Sequence, residues 1–330
     1  MTVLAQAPND AAATMESIAE AVRADLDSTA TEIASNDDLQ LVLLLSYGLS
    51  YGSPVPADDR WEWHPSHLAV RGLIERRFES ELRADIRNDD LPEATAEDVA
   101  SYLFELTGRD DGPSMSRFLA KRATDEQARE FVIHRSIYTL READPHSWAI
   151  PRLNGRAKAA LVEVQSDEYG GGRPERVHAT IFARTMRALG LDATYGAYVD
   201  VVPAVTLASF NMMSMFGLNR RLRGAIAGHL AAFEMTSSIP NRMYGNGFRR
   251  LGYDVDVTDY FDEHVEADAV HEQIAGRDLA GGLGEEHPEL LGDIIFGAKA
   301  CLHADGRVAR HILERWEAGD SSLRTVEAAA

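Results

Sequence analysis

Cysteine is almost missing from this 330-residue chain: Cys301 stands alone. One thiol cannot close an intrachain disulfide, and there is no thiolate cluster to hold zinc or an iron–sulfur centre. Basic residues are also scarce. Lysine and arginine total 33 against 53 aspartates and glutamates, a formal net charge of −20. That balance argues against a nucleic-acid binder, which needs clustered cations for phosphate. It argues equally against an anionic membrane surface as partner. Long apolar runs are lacking too. The longest aliphatic stretch is Leu41–Leu45, far short of the ~20 residues that span a bilayer. The first thirteen residues show no charged segment followed by an apolar one, so no secretory leader is read there. These absences point to a protein of the reducing cytoplasm.

What is present is ordinary for a folded chain: 45% hydrophobic and 26% charged residues, enough for a substantial core. Helical periodicity dominates, and the expected fold class is all-α. The best strand candidate, Tyr198–Thr206, contains Pro203 and is read as a helix junction. Helices are predicted over 13–36, 38–50, 66–88, 95–107, 114–121, 124–143, 155–169, 174–189, 204–216, 219–236, 240–251, 258–275, 287–302 and 305–318. Residues 1–12 read as a disordered leader, 13–120 as an N-terminal helical lobe, 121–320 as a core bundle and 321–330 as a frayed tail. Gly170, Gly171 and Gly172 form a strong helix stop, and Pro174 is expected to open the next helix.

Several residues could carry chemistry. His264, Asp268 and His271 fall at i, i+4 and i+7, a narrow stripe on one helix face. Two imidazoles and a carboxylate so placed suit a metal ion. A solvated acidic helix with two incidental histidines would show the same spacing. Glu168 and His178 flank the triple glycine, whose flexibility permits a tight loop between them. Taken singly, each suits surface or core packing equally well. Glu234 lies among Ala231, Ala232, Phe233 and Met235, where a buried carboxylate needs a cation. Glu142 ends a predicted helix, against the macrodipole. The pooled donors are oxygen and imidazole without sulfur, which suits iron or manganese better than structural zinc. Glu175 makes Glu-x-x-His with His178 and would replace Glu168 in a ferritin-like arrangement. Its helix-start position suits a dipole partner better. The basic islands Asn219–Arg223 and Arg249–Arg250 read as salt-bridging surface rather than a substrate clamp. Tyr169 is a candidate hydrogen-bond partner of the ligands. Trp61 and Trp63 are expected to anchor the N-terminal lobe or a dimer contact.

The segments EADPH, DEYGGGRPERVH, GHLAAFEMTSS and HVEADAVH occur in that order. On them the sequence resembles the haem-oxygenase-like di-iron oxidase and oxygenase family over about residues 125–315. The resemblance implies a haem-oxygenase-like helical bundle, here with an extra N-terminal lobe. It implies two iron ions held by Glu168, His178, Glu234, His264, Asp268 and His271, with Glu234 as the bridging candidate. The nitrogen-oxygenating branch carries a further carboxylate, matched here by Glu142. Fe(II) would reduce O2 to a bridging peroxide that oxygenates a small amine, amino acid or amino-heterocycle. Electrons would come from an external donor. A homodimer is expected. The alternatives are a di-iron oxidase acting on carbon, by desaturation or C–C cleavage, and a non-catalytic iron-binding helical protein.

Overall fold

A computed structural model describes residues 3–28, 32–109 and 114–325; the side chains of residues 266–269 lie outside it. Among the described residues the regular structure is helical, with no strand, as the periodicity predicts. The helices are α1 (Ala12–Asp27), α2 (Asp37–Tyr51), α3 (Pro65–Asp85), α4 (Ala96–Thr107), α5 (Met115–Lys121), α6 (Asp125–Thr139), α7 (Asp144–Ser147) and α8 (Gly155–Glu168). After them come α9 (His178–Ala188), α10 (Ala204–Leu218), α11 (Arg223–Met235), α12 (Ser238–Arg250) and α13 (Val255–Gln273). A π-helical segment, Ile274–Gly281, leads into α14 (Gly282–Glu286), and α15 (Leu291–Glu317) closes the fold.

Short polar side chains start several of these helices. Asn36 accepts the Leu39 N–H before α2, and Thr95 accepts the Asp98 N–H before α4. Thr124 and Gln127 form a reciprocal capping box before α6, satisfying two N–H groups that a helix start leaves open. Helix α10 is apolar on all sides and lies buried along most of its length, as a central helix should. It packs against α2, α6, α11 and α15.

The boundaries differ from the sequence reading in instructive places. The helix predicted over 13–36 stops at Asp27, and Asn36 starts the next helix instead of ending this one. The helix predicted over 124–143 stops at Thr139, and residues 140–143 turn, with Ala143 in the left-handed region at φ 73°. Pro174 opens a single 3₁₀ turn rather than an α-helix. The helices predicted over 287–302 and 305–318 are one 27-residue helix, with Gly306 inside it. A lone glycine lowers helix propensity without stopping a helix whose apolar face is covered.

The segment read as a leader packs against the fold from residue 3 onward. Leu4 and Ala11 are buried, the Leu4 carbonyl accepts the Asp58 N–H at 2.7 Å, and Trp61 Nε1 donates to the Gln6 carbonyl at 2.8 Å. Trp61 is the anchor that was expected, while Trp63 is exposed. The expected tail is likewise held as far as residue 325: buried Ser322 donates to Glu130 at 2.6 Å. Residues 326–330 lie outside the described residues. One apolar cluster joins Leu39, Phe78 and Leu103 to Ala225, Ile294 and Ala300. The N-terminal helices therefore share their core with the rest of the chain across the boundary expected near 120. No described helix is long and apolar enough to cross a membrane.

Helices α11 and α15 approach through glycine. A Cβ on Gly228 would overlap the Ile294 carbonyl, and one on Gly297 would overlap the Ala225 carbonyl. Neither backbone can yield, so Gly297→Ala should destabilise by about 1–3 kcal/mol. Gly306 has open space around its Cβ position, and Gly306→Ala should stabilise by up to about 1 kcal/mol. Chemical denaturation of both variants tests this contact: midpoints shifting in the same direction would refute it.

Candidate metal centre

The site is assembled from four helices and one turn. Helix α8 ends at Glu168. Gly170, Gly171 and Gly172 then take φ of 71°, 58° and 79°, values that side-chain-bearing residues rarely adopt. A Cβ on Gly170 would lie 2.6 Å from the Arg176 carbonyl carbon. The chain therefore doubles back tightly, and α9 begins at His178. His178 Nδ1 comes to lie 3.0 Å from Glu168 Oε2. The pair lacks hydrogen-bond geometry, and Nδ1 has no other partner. Two donor atoms are side by side without satisfying one another.

Helix α13 supplies His264 and His271. Seven residues of helix rise about 10 Å, so the two imidazoles serve different ends of the site. His264 Nδ1 lies 2.7 Å from the Tyr260 carbonyl, which makes Nδ1 the donor and leaves Nε2 to face Glu142 Oε1 at 3.6 Å. His271 is turned the other way. Its Nε2 lies 3.0 Å from Asp167 Oδ2, and its unpartnered Nδ1 faces Glu234 Oε2 at 3.6 Å. A partner on one ring nitrogen sets which nitrogen a metal can use.

The donor atoms form two buried groups, each within 4.8 Å: Glu142, Glu168, His178 and His264 in one, and Glu168, Glu234 and His271 in the other. The carboxylate common to both is Glu168. Glu234, the bridging candidate read from the sequence, stands in the second group. The side chain of Asp268 lies outside the described residues. Glu142 is not at a helix end. It sits in the turn after α6, where Tyr260 donates to its Oε1 at 2.7 Å and its Oε2 has no partner. Gln165 Nε2 braces this turn by donating to the Ala143 carbonyl at 2.8 Å, holding the left-handed residue in place.

Three carboxylates here are almost closed to solvent, with Glu142 and Glu234 each 5% exposed and Glu168 7%. Among the described residues, their ion-pair partners are all histidines. Burial pushes the Glu234 carboxyl up from its ordinary range. Burial would also raise Glu168, but the surrounding histidines, His178 foremost, hold it well down. Burial disfavours the charged form of His271, yet Glu234, Asp167 and Glu168 raise it to about 9. So much buried negative charge needs cations. An all-oxygen-and-imidazole donor set with unpartnered atoms in each group fits a metal such as iron.

Some expectations fall outside this cluster. Tyr169 bonds to Asp144 and Ser147, each at 2.9 Å, and so secures α7 rather than a ligand. Glu175 is exposed in the 3₁₀ turn before α9 and takes no part. Arg249 pairs with Asp262, Arg221 with Glu79, and Arg250 caps carbonyls at the end of α5, so the basic islands are structural. Sequence reasoning missed Tyr260 and Asp167. Tyr260 stands four residues before His264 on the same face, and Asp167 adjoins Glu168; both spacings were readable. It also missed the buried pair His146 and His229, whose Nε2 and Nδ1 lie 3.1 Å apart beside the centre. Nothing in the spacing of those two signals the contact.

A helical fold with a buried, paired histidine–carboxylate cluster defines a class of metal-dependent redox proteins. The particular family follows from comparison: residues 129–306 match the family described as iron-containing redox enzymes, with the haem-oxygenase-like fold. The match covers more than half of the chain, and the chain belongs to that family. It is also 26% identical over 207 residues to a nitrosourea synthase from Streptomyces achromogenes subsp. streptozoticus, which is 62% of this chain and 44% of that protein. The chain thus aligns with less than half of that relative's length.

The His271–Asp167 contact yields a direct prediction. Asp167→Ala removes the acceptor that holds Nδ1 toward the site, and iron affinity should fall about 10–100-fold with helicity unchanged. Competition against a coloured chelator, followed beside circular dichroism, measures both; unchanged affinity would refute the assigned orientation of His271.

Proposed function

We propose that the chain is an O2-dependent non-haem di-iron oxygenase that oxidises the nitrogen of a small amine, amino acid or amino-heterocycle to a hydroxylamine or nitro product. The observation that carries this reading is Glu142: a third carboxylate, with an unpartnered oxygen, standing in the same group as Glu168, His178 and His264. The nitrogen-oxygenating branch that the sequence resembles has a carboxylate at this place. The name of the nitrosourea synthase describes a product with a nitrogen–oxygen bond, which supports the same chemistry. Formation of the nitrosourea itself is not carried over, because so much of that relative has no counterpart here.

Under this reading Glu142, Glu168, His178 and His264 hold one ion, and Glu168, Glu234 and His271 hold the other, with Asp268 completing the set. Bound iron would supply O2 activation, with electrons from an external donor. The chain's own part is positional and electrostatic. Glu168 would serve both ions, Tyr260 would hold Glu142 toward the first, and Asp167 would orient His271 toward the second. Burial of all three glutamates keeps bulk water from the reacting atoms. The substrate nitrogen must reach the site neutral, with its lone pair available.

Anaerobic titration with Fe(II), followed by mixing with O2, tests the proposal. Two irons per chain and a transient visible absorption that decays faster with an amine substrate are expected. Glu142→Ala should change the lifetime of that transient about tenfold or more. An unchanged lifetime would favour oxidation at carbon, whereas uptake of many irons, or none, would remove the enzyme reading altogether.

A further inference from the structure

A cleft of about 360 Å3 opens beside the candidate centre, between the triple-glycine turn and α13. It shares no lining residue with the small cavity bordered by Glu142, Glu168 and Glu234. His178 and His271 line it, one imidazole from each donor group. The two rings are buried, at 2% and 1% exposed, and in each the Nδ1 has no hydrogen-bond partner among the described residues. Val270 and the Asp167 side chain, also on its walls, are 59% and 60% exposed. The cleft thus runs from solvent to the ligands.

Iron has to reach donors that are closed to solvent. An incoming Fe(II) ion sheds water, and oxygen or nitrogen ligands must replace what it loses. Leu230 and Phe233, on the wall of the small cavity, offer none. The cleft offers two carboxylates outside the expected ligand set, Asp167 and Glu263. Asp167 is engaged by His271 Nε2 at 3.0 Å. Glu263 is engaged by Arg176, whose guanidinium also lies 3.9 Å from Asp259, one turn earlier on α13. Arg173 adds a second positive charge to the lining. At rest the cleft is therefore barred to a cation, and Arg176 is the bar. The turn that leads to Arg176 has room to move, because the Cβ positions of Gly171 and Gly172 meet no described atom within 4 Å.

We propose that this cleft is the port through which iron enters and leaves the centre. Arg176 is its gate, and Glu263 receives the ion once the guanidinium swings across to Asp259. The inference rests on the reading of the site as an iron centre and is independent of what is oxidised there.

A gate changes the rates of entry and exit together and leaves the equilibrium in place, whereas a ligand changes the equilibrium. Mixing the metal-free chain with Fe(II) under anaerobic conditions, with a chelator quench, times uptake. Excess chelator whose iron complex is coloured times release from the loaded chain, and equilibrium competition gives Kd. Arg176→Gln should speed uptake and release about tenfold, with Kd unchanged within about threefold. Glu263→Gln should slow both. Val270→Trp, which fills the mouth without altering a charge, should also slow both. If Arg176→Gln does not fold by circular dichroism, Val270→Trp and Glu263→Gln carry the test. Unmoved rates in the folded variants, or a change confined to release, would overturn the port. A wild-type chain that binds no iron removes the centre and the port together; normal iron binding beside unmoved rates removes the port alone.

Discussion

Three glutamates buried in a helical core are the constraint on which this structure turns. An ionised carboxylate in an apolar interior costs several kcal/mol unless a cation meets it. Here Glu142, Glu168 and Glu234 are closed to solvent and have only histidines as ion-pair partners among the described residues. The fold concentrates negative charge and imidazole at one place, and metal ions are the economical way to balance it. Glu168 matters most, because it belongs to both donor groups. Its position couples the two halves of the site, so anything that shifts the end of α8 shifts both.

The scaffold around this cluster serves that placement. The three left-handed glycines after Glu168 bring His178 back onto the same carboxylate. Glycine contacts between α11 and α15 let two backbones meet, which fixes the helix that carries Glu234. The turn after α6 turns Glu142 inward, and Gln165 and Tyr260 hold that turn from α8 and α13. Glu142 and His271 are thus held by partners on other elements, so their geometry is a property of the assembled bundle.

The cavity at the glutamates is small and enclosed by Tyr138, His146, Leu230 and Phe233. An aromatic-walled pocket lies next to this one, sharing Tyr138, Phe233 and Ser237 with the cavity at the glutamates. Arg135 and Asp305 introduce opposite charges there. The acidity of the whole chain has no part in this arrangement. It lies mostly on exposed helix faces, where the long basic side chains pair with it.

The sequence by itself determined the all-α class, because a 3.6-residue apolar period persists through nearly every segment and strand patterns are scarce. It also determined the donor types, since a chain with one cysteine can offer only oxygen and imidazole in number. His264 and His271 were legible as a pair because helical spacing puts them on one face, and the triple glycine announced the turn that follows Glu168. Tertiary structure decided the rest. Which imidazole nitrogen faces the site depends on Tyr260 and Asp167. That Glu168, rather than Glu234, is shared depends on where the end of α8 meets α9, α11 and α13. The pairing of His146 with His229 joins residues far apart in the chain. No local period encodes such contacts; only the packing of the helices brings them together.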